Sequence, residues 1–246
     1  MSEQSRHDPG CCSAAGKRAT IADQIATSFD RQVGRTVSDP DVLPEPSPIS
    51  ARLLELLSDV SEARPSVLDL GCGTGNTSIR LARAGAGPVT GMDLSPVSID
   101  IARRRAAAVG MTDDRVRFDL GDVTSSVLRP RDWVVLDRVM CCYDDVDLLL
   151  TNALSGTRRR LAFAVPDSRG WRGVVNKMTW SAENLGKAVI RRPDCKGFVH
   201  DLGEIDRRLA DAGLAKMRDS VRGLWYAAVY ERAPIWTSRP REAGTA

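Results

Sequence analysis

The sequence has no long apolar run and no apolar leader. Its 246 residues contain no stretch approaching the roughly 20 consecutive apolar residues that a membrane-spanning helix requires. The first ten residues, MSEQSRHDPG, lack the apolar core of a signal peptide. These absences predict a cytoplasmic protein without a membrane span.

An excess of charge of one sign is also missing. The chain carries 35 Lys and Arg against 32 Asp and Glu, a formal net charge of +3. Such a balance gives no reason to expect a polyanionic partner, and we predict no nucleic-acid binding. The segment DRVMCC, residues 137 to 142, also lacks the Pro-Pro-aromatic element that would hold a flipped base.

Cysteine and histidine are scarce. The six cysteines form no CxxC motif, and the chain has two histidines. The adjacent pairs Cys11-Cys12 and Cys141-Cys142 do not have a standard metal-ligand spacing. We therefore expect reduced thiols and no resident metal.

The sequence contains one glycine-rich motif, PSVLDLGCGTG, at residues 65 to 75. Its apolar start is typical of a buried strand, Asp69 lies near the strand's carboxyl end, and glycine follows at every second position from Gly71 to Gly75. Glycines can adopt positive φ and bring backbone N–H groups against a ligand, while the following helix directs its positive end there. The motif predicts a small-molecule site.

From Pro65 onward, strand and helix signals alternate, which is typical of a parallel sheet with right-handed crossovers. The predicted parallel strands are 67–70, 89–93, 115–120, 133–136 and 161–165. Two further β-rich runs flank Arg222-Gly223, which indicates an antiparallel hairpin at the edge of the sheet. The fold class is α/β.

The predicted domain organisation has a single globular unit with additions. Residues 1–18 are expected to be a disordered tail, and 19–62 form a helical cover over the start of the sheet. The domain spans 63–233 and contains an insertion at 167–200, where the strand–helix rhythm breaks. Residues 234–246 are expected to be a loose tail.

Over residues 49 to 232 the chain resembles the class I S-adenosylmethionine-dependent methyltransferases, which carry a Rossmann-like, mostly parallel seven-stranded sheet with a C-terminal antiparallel hairpin. Three motifs carry the resemblance: VLDLGCGTG, MDLS at 92 to 95 and GDV at 121 to 123. It implies that S-adenosylmethionine is the cofactor. The cofactor-binding residues implied are Asp69, Gly71, Cys72, Gly73, Gly75, Asp93, Leu94, Asp122, Val123 and Asp137. In this family Asp93 would accept from the ribose hydroxyls and Asp122 would meet the adenine amino group.

A nicotinamide dehydrogenase is the competing interpretation, because it also uses a glycine turn and a ribose-binding acid. Its fingerprint is GxGxxG, which from Gly71 requires a glycine at position 76, where the chain has Asn76. Gly75 and the two downstream acids favour the methyltransferase.

The acceptor is predicted to be a small molecule, methylated on oxygen, nitrogen or sulfur. His200, Asp137 and Tyr143 are the candidate catalytic residues, since an oxygen nucleophile usually needs a base. Within the family, SFDR at 28 to 31 and the segment 132 to 143 are similar to magnesium-protoporphyrin O-methyltransferases. Trp171, Trp180, Trp225 and Tyr226 are candidates to line a flat acceptor pocket. The two tryptophans of the insertion are the better candidates, because Trp225 and Tyr226 could equally pack within the hairpin.

Two alternatives remain open. The cysteine pairs could serve a thiol or metalloid methyltransferase, with Cys11 and Cys12 folding over a pocket beside Cys141 and Cys142. The same cradle could also belong to a noncatalytic sensor that binds cofactor or metal.

Overall fold

A computed structural model describes residues 12–58, 64–189 and 196–232 of the chain. The helices are α1 (Cys12–Thr36), α2 (Pro48–Ser58), α3 (Asn76–Arg83), α4 (Pro96–Ala108), α5 (Val146–Ser155), α6 (Gly170–Val189) and α7 (Leu202–Asp211). The strands are β1 (Val67–Leu70), β2 (Val89–Asp93), β3 (Val116–Leu120), β4 (Arg131–Asp137), β5 (Thr157–Pro166), β6 (Leu214–Arg222) and β7 (Trp225–Arg232). A short 3-10 helix, Met140–Cys142, follows β4.

The seven strands form one sheet in the order β3-β2-β1-β4-β5-β7-β6. β1 to β5 run parallel to one another, and β7 pairs antiparallel with both β5 and β6. The strand order reverses at β1, which lies between β2 and β4. In an open α/β sheet the crevice at that point is where ligands bind. The predicted α/β class, mostly parallel sheet and edge hairpin are confirmed.

Helices cover both faces of the sheet, because adjacent residues of the central strands point to opposite sides and both sides are apolar. Val67 packs with the apolar faces of α2, α3 and α4, whereas its neighbour Leu68 packs with α5 and α7. All four residues of β1 are buried. Asp69 is therefore a carboxylate inside the core of a three-layer molecule.

Helix starts follow the capping signals. Ser95 accepts a hydrogen bond from the Ser98 backbone N–H at 2.9 Å, with Pro96 at the first helical position. Asp201 caps α7 by accepting from the N–H groups of Gly203 and Glu204. These caps place two helix starts at the carboxyl edge of the sheet.

Four details differ from the sequence-based expectations. α1 begins at Cys12, so residues 12–18 are helical and do not form the expected disordered tail. Alanine, lysine and arginine in this stretch favour a helix. The remaining tail residues, 1–11 and 234–246, lie outside the described part of the chain. α2 packs mainly on β5, β6 and β7, and α1 contacts α4, so the helical cover extends over the antiparallel end of the sheet as well. The hairpin loop is Gly223-Leu224, one residue later than predicted. Most of the 167–200 segment is α6, a single helix of 20 residues.

Among the described residues, none of the helices combines the length and apolar character needed to cross a bilayer.

Candidate active site

The glycine turn after β1 adopts the backbone that its sequence requires. Gly71, Gly73 and Gly75 have φ of 71°, 52° and 81°, in the left-handed region that other residues seldom occupy. The Gly71 N–H donates to the Met92 carbonyl at 2.7 Å, which fixes the turn against β2. The chain then enters α3 with Gly75 as its N-terminal cap residue.

The three glycines serve different purposes. A side chain at Gly71 would overlap Val139, and one at Gly75 would lie 2.9 Å from both Ala102 and Phe118. These two positions keep the turn packed against its neighbours. A side chain at Gly73, in contrast, would meet nothing within 4 Å and would extend into open space. Gly73 therefore leaves room for a ligand.

Asp69 is fully buried beside this turn. Its Oδ2 accepts from Ser78 Oγ at 2.6 Å, while Oδ1 is buried without a hydrogen-bond partner. Burial, reinforced by the nearby charges of Asp137 and Asp93, raises the pKa of Asp69 to about 7. A buried carboxyl oxygen with no donor is a costly arrangement unless a ligand supplies one.

Asp93 ends β2 and holds the turn from the other side. Its Oδ2 accepts from the Gly73 N–H at 2.8 Å, and its Oδ1 accepts from the Ser95 N–H at 2.9 Å. Burial raises the pKa of Asp93, although these backbone donors partly offset it. Each oxygen retains acceptor capacity for a ligand hydroxyl.

A cavity of about 660 Å³ lies over this carboxyl edge. Its size falls within the range of small-molecule sites. Nine residues predicted for the site line it: Asp69, Gly71, Cys72, Gly73, Asp93, Leu94, Val123, Asp137 and Tyr143. Gly75, Asp122 and His200 do not line it.

Asp137, at the end of β4, mirrors Asp69. Its Oδ2 accepts from Thr77 Oγ1 at 2.8 Å, and its Oδ1 is buried without a hydrogen-bond partner. Arg138, the next residue, has φ of 61°, an uncommon value for a residue with a side chain. The chain thus turns sharply at the cavity wall, directly before the 3-10 helix.

The cysteine pair lies in that 3-10 helix. Cys141 is buried and Cys142 lines the cavity. The Cys141 thiol lies 3.5 Å from the Arg138 carbonyl and donates to it. A hydrogen bond with Cys141, together with burial, raises the pKa of the Cys142 thiol well above its usual value. Among the described residues no group of His, Cys, Asp and Glu side chains could hold a metal ion; Cys11 is outside the described part.

The structure does not bring His200 into the cavity. Its Nε2 lies 3.0 Å from the Met140 carbonyl and 2.9 Å from the Tyr143 carbonyl, so this nitrogen carries the proton and donates. The Phe198 N–H donates to the Cys141 carbonyl at 2.9 Å. His200 does not cap α7, a role that Asp201 fills. His200 and Phe198 together hold the 3-10 helix in place from behind.

Asp122 is also placed differently from the expectation. Its Oδ1 accepts from the Thr124 N–H and hydroxyl, both at 2.8 Å, and its Oδ2 accepts from Ser125 Oγ at 3.1 Å. It lines a smaller cavity of about 180 Å³ that shares Tyr143 with the main one. Its neighbour Val123 is the residue of GDV that reaches the main cavity.

Several lining residues escaped the sequence-based prediction. α1 contributes Phe29 and Gln32, and the connector before α2 contributes residues 44–47. Two of the predicted candidates do line the cavity: Trp180 of α6 and Trp225 of β7, with ring centroids 6.4 Å apart. For Phe29, the SFDR segment at 28–31 was the available signal. Trp171 is exposed on α6 and does not line the cavity.

The reversal of strand order at β1, the glycine turn and the acids at its edge define a nucleoside-binding α/β protein. Residues 67–162 match the family model described as a methyltransferase domain. The magnesium-protoporphyrin O-methyltransferase of Rhodobacter capsulatus is 30% identical over 185 residues, which cover 74% of this chain and 77% of that protein. The chain belongs to the class I S-adenosylmethionine-dependent methyltransferases, and it is an enzyme.

Two other relatives differ in extent. The ribosomal protein L11 methyltransferase of Shewanella sediminis is 30% identical over 115 residues, which cover 47% of this chain and 33% of that protein. Among solved structures, magnesium protoporphyrin IX methyltransferase from Synechocystis PCC 6803 with bound SAH superposes with a TM-score of 0.63 at 21% identity. That match covers 88% of this chain and all of the other.

The cofactor is S-adenosylmethionine, and the residues present fit it. A sulfonium and an ammonium are its positive groups, and two carboxylates of the cavity, Asp69 and Asp137, each have one buried oxygen that lacks a donor. Open space lies beside Gly73, and Asp93 has acceptor capacity there. These acceptors therefore match the positive groups and the hydroxyls of the cofactor.

Proposed function

We propose that this methyltransferase transfers the methyl group to a small molecule. The observation that carries the proposal is the shape of the cavity: α1, the connector before α2, α6 and β7 wall it in over the carboxyl edge of the sheet. Phe29, Trp180 and Trp225 give it an aromatic side. A concave space walled on these sides suits a compact acceptor better than the flat surface of a macromolecule.

In this proposal the cofactor's ribose hydroxyls donate to Asp93, and its ammonium donates to the unpartnered Oδ1 atoms of Asp69 and Asp137. The geometric support is that all three carboxylates line one cavity. Asp122 remains a candidate for the adenine end through the adjoining smaller cavity. Cys72, Leu94 and Val123 supply the apolar contacts on the same wall.

The cofactor supplies an electrophilic methyl group on sulfur, which a nucleophile displaces in line. The chain must hold the nucleophile against that methyl carbon and exclude water. We assign this positioning to the wall formed by Cys142, Tyr143 and Trp180, which also extends beyond the cofactor-binding acids. Asp137 and Tyr143 are the candidate groups to accept or orient the acceptor's proton. His200 is a positioning residue, because its contacts are to the backbone of that wall.

The extent of the relatives also supports a small acceptor. The protoporphyrin enzyme of Rhodobacter capsulatus matches 74% of this chain, whereas the L11 enzyme of Shewanella sediminis, which acts on a protein, matches 47%. A match over 185 residues must extend beyond the 67–162 stretch that the family model covers. We therefore place the acceptor within the covered space.

Soft-ligand chemistry at the cysteine pair receives no support. At neutral pH the raised pKa of Cys142 keeps its thiol protonated, and a protonated thiol is a weak ligand for a metalloid. The sensor interpretation is disfavoured by family membership.

The test uses the full chain and labelled S-adenosylmethionine. A cell extract is separated by ultrafiltration into small molecules and macromolecules, and each fraction is incubated with the enzyme. We expect label in products of the small-molecule fraction, and none with the Asp93→Ala variant. Label transferred to the macromolecular fraction alone would contradict the proposal.

A further inference from the structure

A second cavity of about 400 Å³ adjoins the main one and is strongly basic. Phe29, Gln32, Cys142 and Trp180 line both cavities, so the two spaces meet at the wall that we assign to the acceptor. The second cavity adds the outer face of α1, the outer part of α6 and residues 196 and 197.

The charges that line this basic cavity are four cations and one anion. The cations are Arg31, Arg35, Lys187 and Lys196, and the anion is Glu183. Lys187 pairs with Glu183 at 2.8 Å. Within the described ranges, Arg31, Arg35 and Lys196 make no ion pair.

The main cavity has the opposite charge. Glu45, Asp69, Asp93 and Asp137 line it, and Arg138 is its one lining cation among the described residues. Over the whole chain the numbers of basic and acidic residues are nearly equal. The opposite charges of the two adjoining cavities therefore come from how these residues are placed and not from an excess of one sign. The acidic side suits the positive cofactor. The basic side requires a different, negatively charged occupant.

We propose that the basic cavity binds a carboxylate or phosphate group of the methyl acceptor. Arg31 and Arg35 lie one helical turn apart on α1 and present two guanidinium groups, which bind such anions through paired donors. Lys196, from the segment that precedes α7, adds a third cation to the lining. This inference rests on the proposed function, because it places the anion on the same molecule whose other end meets the cofactor's methyl group.

The arrangement also assigns the rest of the acceptor. Trp180 and Phe29 lie between the basic side and the cofactor side, so the part of the acceptor between its anion and its nucleophile contacts aromatic surface. The enzyme would thus recognise the acceptor through its anionic group. That group would lie apart from the acidic cofactor site, which would repel it.

The test measures anion binding directly by calorimetry, on full-length protein saturated with S-adenosylhomocysteine. Inorganic pyrophosphate and benzoate are the two probes, which separate phosphate from carboxylate recognition. We expect one of them to bind and the Arg35→Gln variant to bind it about 10-fold more weakly. Glu183→Gln should bind it more tightly, because it removes the single negative charge that lines the basic cavity.

Arg129→Gln is the matched control, since Arg129 is exposed in the loop before β4 at the opposite edge of the sheet. It should leave probe binding unchanged. If neither probe binds, or if Arg129→Gln weakens binding as much as Arg35→Gln, the basic-cavity proposal is overturned. Labelled-methyl transfer to a neutral acceptor that Arg35→Gln leaves intact would also overturn it while the proposed function stands. Failure of S-adenosylhomocysteine to bind would instead count against the cofactor site.

Discussion

Lowering the pH from 7 to 5.5 should weaken S-adenosylmethionine binding, because a positively charged ligand requires Asp69 to be ionised. Burial holds the pKa of Asp69 at about 7 in the cofactor-free protein. From the reference value of 3.8, that shift corresponds to about 4 kcal/mol of unfavourable ionisation. The cofactor's ammonium, beside the unpartnered Oδ1, would stabilise the ionised form and release a proton.

The magnitude follows from the ionised fraction. With a pKa of about 7, Asp69 is about half ionised at pH 7 and about 3% ionised at pH 5.5, so the affinity should fall about 15-fold. At pH 6 binding should release about 0.9 proton. Calorimetry in two buffers of different ionisation enthalpy measures that number. The Asp69→Asn variant, which cannot ionise, should show much less proton release and a flatter pH dependence.

The same shift has a consequence for stability. A carboxyl whose pKa is raised on folding stabilises the protein below its unfolded pKa near 4, and that contribution is lost as the pH rises to about 7. Thermal unfolding of the cofactor-free protein should therefore show a loss from Asp69 between pH 4 and 7 that Asp69→Asn lacks. If wild type and Asp69→Asn have parallel pH profiles for both binding and unfolding, the assignment of Asp69 is wrong.

Three other changes test individual contacts. Asp93→Asn should weaken cofactor binding about 100-fold in a calorimetric titration, since two charge-assisted hydrogen bonds are lost, whereas Asp119→Asn, at a partly exposed carboxylate of β3 that does not line the cavity, should not. Equal effects would contradict the ribose assignment. Gly73→Ala should weaken cofactor binding more than 10-fold while costing about 1–2 kcal/mol of stability. Gly71→Ala should lower the melting temperature much further, because its side chain would overlap Val139. A larger loss of stability from Gly73→Ala than from Gly71→Ala would refute the assignment of Gly73 to ligand space and Gly71 to packing. His200→Ala should lower kcat without removing a titration step from the pH profile of kcat. His200→Gln, whose amide can still donate to the backbone carbonyls, should retain part of the rate. Loss of a titration step in His200→Ala would instead indicate that His200 acts as a base.

The sequence allowed prediction of the cofactor side of the site because its determinants are local. A glycine turn requires glycines within five residues of β1, and parallel strands end at one edge, so Asp69, Asp93 and Asp137 were expected to converge. The structure places all three in one cavity. The raised pKa values of Asp69 and Asp93 were not predictable, because they depend on burial by helices that are distant in the sequence.

The other side of the cavity was predicted only in part: Tyr143, Cys142 and Trp180 line it as expected, whereas Trp171 and His200 do not. Trp171 and Trp180 are nine residues apart, which places them on opposite faces of a helix, but α6 was not recognised as one helix. His200 contacts backbone carbonyls about 60 residues away, and no side-chain pattern signals such a partner. Asp122 is followed by Thr124 and Ser125, whose donors occupy its carboxylate.

The most direct measurement is a crystal structure of the full chain with S-adenosylhomocysteine. We predict the ribose hydroxyls on Asp93, the ammonium against Asp69 and Asp137, and the sulfur directed toward the wall that contains Cys142. Binding at the other large cavity, about 620 Å³ and lined by Leu54 and Trp133, would contradict the account.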